Sequence, residues 1–129
     1  MDTEQSPLSV EEFESLLKDA IDHIPKQYQE KMKSVAIIVE DEPSQHQRKK
    51  LGLRSCDALF GLYEGVPLPR RGGATLSIQP DVITIFRYPM AHIFKDKVAL
   101  EKQIYETLWH EVAHFFGLNH QQIHSTKNS

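Results

Sequence analysis

Cysteine is nearly missing from this chain: Cys56 is the one example in 129 residues, so no disulfide can close within it. A reduced, cytoplasmic setting is the expectation that follows, and nothing around Cys56 marks it as a nucleophile. Long apolar runs are missing too. No stretch approaches the roughly 20 residues a helix needs to cross a bilayer, and the start, Met1-Asp2-Thr3-Glu4-Gln5, is acidic and polar, unlike a signal peptide. A membrane is therefore not among the expected partners. Nor is there an excess of positive charge, with 15 Lys and Arg against 18 Asp and Glu and a formal charge of −3. Arg48-Lys49-Lys50 and Arg70-Arg71 are short clusters rather than a phosphate track interleaved with aromatics, which argues against nucleic acid as a partner. Internal repeats and low-complexity segments are absent.

What is present fits one globular domain over residues 1–129, with polar tails at 1–7 and 125–129. Val10, Phe13, Leu16, Leu17, Ala20, Ile21 and Ile24 recur at helical steps and predict an amphipathic helix over 9–24. Ser9 with Glu12 forms a capping box, Leu8 with Phe13 has staple spacing, and Pro25 stops the helix. Residues 27–33 read as a short helical turn or linker. Val35-Ala36-Ile37-Ile38-Val39 has the continuous apolar character of a buried strand. Residues 40–55 read as a polar, basic loop. Leu59 to Tyr63 and Asp81 to Arg87 are two further strand candidates, the second ending before Pro89, and Thr75 to Ile78 is a weaker one. A long helix is expected from an Asp96 cap to Phe116.

That last helix carries the chemistry. His110-Glu111-Val112-Ala113-His114-Phe115-Phe116-Gly117-Leu118-Asn119-His120 is an H-E-x-x-H-x-x-G-x-x-H pattern. The chain holds 7 His, so the short H-E-x-x-H alone is weak evidence. The full pattern would arise by shuffling this composition only about once in 10,000 sequences. At 100° per residue, Ile104, Leu108, Val112 and Phe115 form one apolar stripe, and His110 and His114 fall on the opposite side, one turn apart. Two imidazoles so placed can share one Zn2+, and Glu111 beside them can act as general base on a metal-activated water. Gly117 can end the helix in the left-handed conformation and bring His120 round as the third metal ligand. His124 is the alternative third ligand, and Glu64 or Asp57 upstream remain open. Tyr63, Arg87, Tyr88 and His124 are the candidates for stabilising an oxyanion. Tyr105 and Trp109 lie away from the metal face and are not expected at the site.

The eleven-residue motif resembles that of the zincin clan of metallopeptidases, with a third histidine of the metzincin type. Metzincins place a Met-containing turn after that histidine, whereas only nine residues, none of them Met, follow His120. A closer resemblance runs over most of residues 55–124. Asp57-Ala58-Leu59-Phe60-Gly61-Leu62-Tyr63-Glu64-Gly65-Val66-Pro67-Leu68, Asp81-Val82-Ile83-Thr84-Ile85-Phe86-Arg87 and the histidine motif together look like a family of small bacterial zincin-like metallopeptidases, many with Asp where this chain has His120. The resemblance implies an α+β fold, a small mixed sheet packed against helices, with the metal-binding helix near the C-terminus. It also implies one Zn2+ per chain. The expected function is hydrolysis of peptide bonds in a peptide or protein substrate, with Glu111 catalytic and His110, His114 and His120 on the metal. The alternative is a metal-binding or peptide-binding module of the same fold with little turnover.

Overall fold

The computed structural model describes residues 9–54, 57–67 and 80–118. Helix α1 spans Val10–His23 and opens on the expected capping box: the Ser9 amide donates to Glu12 Oε1 at 2.9 Å, and the Glu12 amide to Ser9 Oγ at 3.1 Å. Each bond satisfies a donor that the first helical turn leaves without an internal partner. A short helix, α2 (Lys26–Lys31), starts directly after Pro25. Strand β1 (Ala36–Glu40) follows, then α3 (Gln45–Leu51), β2 (Gly61–Glu64), β3 (Val82–Phe86), α4 (Arg87–Ile93) and α5 (Lys97–Phe116).

The three strands make one mixed sheet in the order β1-β3-β2, with β1 parallel and β2 antiparallel to the central β3. This is the small mixed sheet with helices that the resemblance implied, with the motif on the last described helix. Helix α5 lies across β2 and β3, and α1 packs on α5. Phe13, Leu16, Leu17 and Ala20 from α1 meet Leu100, Ile104, Leu108 and Val112 from α5, with Ile83 and Ile85 of β3 below. Deep apolar burial on the inner face of β3 is what holds α5 against the sheet.

Two expectations need correction. The apolar run at 35–39 is not a strand buried on both faces: among the described residues β1 is an edge strand whose burial alternates, with Ile37 and Val39 packed on the core and Ile38 40% exposed. Only the face under the helices is covered, so alternation returns despite the unbroken apolar sequence. The 40–55 loop contains α3, which buries none of its residues and is held by its ends. Ser44 and Gln47 form a capping box (2.9 and 3.0 Å), and Gly52 closes the other end at φ 70°. Pro89 lies beyond the end of β3, as expected. It sits in the first turn of α4, where a missing N–H costs nothing because that donor has no helical partner. The Thr75–Ile78 strand candidate, Leu8 of the staple and Cys56 lie outside the described residues.

Candidate metal centre

Asp96 caps α5 as expected, its carboxylate accepting the Ala99 amide at 3.1 Å. The helix then runs 20 residues without a break. Its stripe of Ile104, Leu108, Val112 and Phe115 is buried to within 1%. That burial fixes the rotation of the helix and turns the opposite face outward. His110 is half-buried there, and the His114 side chain is 46% exposed. Their rings lie edge to face, with centroids 4.5 Å apart.

His110, Glu111 and His114 can each offer one ligand atom, all within 4.8 Å of one another. Two nitrogens on a tetrahedral Zn2+ at about 2.05 Å are about 3.3 Å apart. Rotation of the half-exposed histidines can close that difference, so the donor set fits a zinc ion. Glu111 Oε1 lies 3.1 Å from His114 Nδ1. This bond to a carboxylate raises the His114 pKa above its ordinary 6.5; burial works against the shift and the Glu111 charge works with it. A contact through Nδ1 leaves the other ring nitrogen of His114 to face a metal.

The Glu111 carboxylate belongs to a buried residue, 7% exposed. Its seat depends on Gly61 at the start of β2, a residue the sequence reading passed over. A Cβ at Gly61 would stand 2.7 Å from Thr107 Cγ2 and 3.4 Å from Glu111 Cγ. The strand can lie this close to α5 only because it has no side chain there. The available signal was a glycine inside a strand, which often marks a close backbone approach. One turn before Glu111, Thr107 Oγ1 accepts a bond from Gln103 Nε2 at 2.9 Å.

At its C-terminus α5 stops at Gly117, with φ 75°. The Gly117 amide reaches His114 O at 3.0 Å and the Leu118 amide reaches Ala113 O at 2.9 Å, the paired bonds of a Schellman turn. The helix therefore ends at Gly117, as the glycine predicted. His120 and His124 lie outside the described residues.

The remaining candidates are placed elsewhere or are already engaged. Tyr63 donates to Asp81 Oδ1 at 2.7 Å, and its ring packs edge-on against Phe115. Arg87 is buried and pairs with Asp41 at 2.8 Å, its guanidinium over the exposed Tyr88 ring. Glu64 accepts from Gln47, and Asp57 from Arg54. Neither joins the His110–Glu111–His114 group. Trp109 is buried against Tyr28, and Tyr105 meets His23, both away from the metal face.

A family model for zincin-like metallopeptidases matches residues 32–129, from just before β1 through the whole histidine motif. The chain belongs to this family. Zincin-like metallopeptidases normally carry zinc, and among the described residues the His110–Glu111–His114 group could hold it. Among solved structures, a conserved hypothetical protein from Thermo thermophilus is similar, with a TM-score of 0.55 and 17% identity over 82% of this chain and 92% of that one. At that identity the likeness is one of fold. No curated protein matches this zincin-like chain.

Proposed function

We propose that this zincin-like protein is a zinc-dependent peptidase in which His110, His114 and His120 hold the metal and Glu111 is the general base. The observation that carries the reading is the clustering of His110, Glu111 and His114 on α5, within reach of one ion. A bound Zn2+ supplies a Lewis acid that polarises the scissile carbonyl and acidifies a coordinated water. The chain's own contribution begins with Glu111. Its carboxylate takes the proton of the attacking water and delivers it to the leaving amine. Burial keeps that carboxylate out of bulk water, where charge interactions would be damped. Helix α5 fixes Glu111 relative to both histidines and ends at Gly117, three residues before His120 in the sequence. A peptide substrate adds as a strand along a sheet edge. Of the two edges among the described residues, β2 is the one that packs against α5, so β2 is the edge assigned to the substrate.

A second reading draws on the Glu111–His114 contact of 3.1 Å. There the carboxylate orients or joins the ligand set, and the protein is a metal-binding or peptide-binding module with little turnover. Two variants separate the readings. For a peptidase, Glu111→Gln keeps zinc and loses hydrolysis of a peptide library, by roughly a hundredfold or more, while His114→Ala loses both. Unchanged hydrolysis in Glu111→Gln, or no cleavage by the zinc-loaded wild type, defeats the peptidase reading.

A further inference from the structure

We infer that Gly61 is a spacer that sets the distance between a peptide held on β2 and the water-activating face of α5. The inference rests on the peptidase reading above and goes on to the residue that tunes its geometry. Three groups converge on the empty side of Gly61. A Cβ built there meets Thr107 Cγ2 at 2.7 Å, Thr84 O at 3.3 Å and Glu111 Cγ at 3.4 Å. The first distance is impossible for two carbons, and the second leaves little room to retreat toward β3. Thr107 is itself held by Gln103 at 2.9 Å and is 7% exposed, so its methyl cannot easily swing away.

The strand and the helix must therefore separate when a side chain is added. Restoring a carbon–carbon contact of about 3.5 Å from 2.7 Å requires a shift of about 0.8 Å. His110, Glu111 and His114 all lie on α5 and move as one group, so the ligand pair keeps its internal geometry. What changes is their distance from a carbonyl anchored on β2. A misplacement near 1 Å at a reacting centre can cost about a hundredfold in rate. Gly61 touches no substrate atom in this account and acts only through the strand–helix gap, as a positioning residue.

Three measurements test it together in zinc-loaded protein. Gly61→Ala is expected to lower kcat by roughly ten- to a hundredfold, with KM and zinc affinity nearly unchanged. Adding Thr107→Ser, which deletes the Cγ2 methyl that the new Cβ strikes, is expected to recover most of that loss when judged against Thr107→Ser alone. Binding supplies a readout independent of turnover. A peptide hydroxamate, which spans β2 and the metal, loses affinity in Gly61→Ala, whereas acetohydroxamate, which reaches the metal alone, does not. A lower melting temperature with unchanged kcat and unchanged hydroxamate binding overturns the proposal, as does a kcat loss that Thr107→Ser leaves in place. Equal losses for both hydroxamates also overturn it, because the metal site itself would then be damaged. If Gly61→Ala does not fold, Thr107→Ile crowds the same gap from the helix side. It is compared with the size-matched Thr107→Val, and equal behaviour of the two overturns the proposal. A wild type that cleaves nothing yet binds the peptide hydroxamate more tightly than acetohydroxamate defeats the peptidase reading alone, and the hydroxamate pair then decides the spacer.

Discussion

Replacing Gly117 with alanine tests the turn that precedes His120, the proposed third ligand. Gly117 has φ 75°, and its amide and that of Leu118 close the last turn of α5 onto His114 O and Ala113 O. An L-residue with a Cβ is disfavoured in this conformation by about 1–2 kcal/mol. Spread over 129 residues at about 2.1 cal/mol/K of unfolding entropy each, that cost lowers the melting temperature by about 4–7 °C. Asparagine tolerates the left-handed region better than alanine, so Gly117→Asn falls between wild type and Gly117→Ala. The zinc dependence adds a second handle. Without metal, the helix end can fray and escape part of the strain. With zinc held by His120, the turn is pinned and the full cost appears. Thermal melts of wild type, Gly117→Ala and Gly117→Asn, each with and without zinc, measure both effects. Equal Tm losses with and without zinc show that no ligand arrives through this turn, and alanine and asparagine variants that both melt like wild type refute the strain argument itself.

The remaining expectations concern acid and core. In the metal-free protein the raised His114 pKa means its bond with Glu111 stabilises fully below the ordinary pKa of 6.5, and that contribution fades as pH rises through the folded-state value above it. Zinc requires a neutral His114, so zinc affinity measured by chelator competition climbs with pH until the raised pKa is passed. Glu111→Gln removes the anionic acceptor and moves that climb to lower pH; a climb that stays in place shows that the contact does not control the proton. In the core, Trp109 Nε1 is buried with no hydrogen-bond partner among the described residues. Trp109→Phe removes that unsatisfied donor along with some volume and costs less than about 1.5 kcal/mol in chemical denaturation, whereas Trp109→Ala costs about 3–5 kcal/mol. A phenylalanine variant as unstable as the alanine one contradicts the cost assigned to the buried N–H.

Much of this was readable because it is local. Ser9 with Glu12, Asp96 and Gly117 act within one turn of themselves, and each caps its helix as its chemistry requires. The outward position of His110 and His114 followed from the stripe of Ile104, Leu108, Val112 and Phe115, since helical geometry fixes the opposite face once one face is buried. Helix α3 was equally local and still missed: the Ser44–Gln47 box stands in the sequence, but no apolar stripe accompanies it. The error at β1 has another cause. Whether Ile38 is covered depends on which strand becomes central, and residues 35–39 hold no information about that. Pro89 is compatible with both a strand end and a first helical turn, and the structure uses both. The closeness of Gly61 to Thr107 and Glu111 is a long-range property, 46 and 50 residues apart by number, that no spacing rule connects.

The parallel pairing of β1 with β3 joins Ala36 to Val82, 46 positions along the chain, whereas His110 and His114 are four apart. Closing the longer loop costs about 2 kcal/mol more chain entropy than closing the shorter one. Capacity for a metal and capacity for geometry therefore have different topological reach. An isolated helix carrying the motif already brings two imidazoles together, in a fragment or in a chain that has not finished folding. The wall beside them exists only after β3 has been captured between partners drawn from distant parts of the polypeptide. An ion can thus be taken up before the sheet is complete, and only the completed sheet brings β2 beside α5.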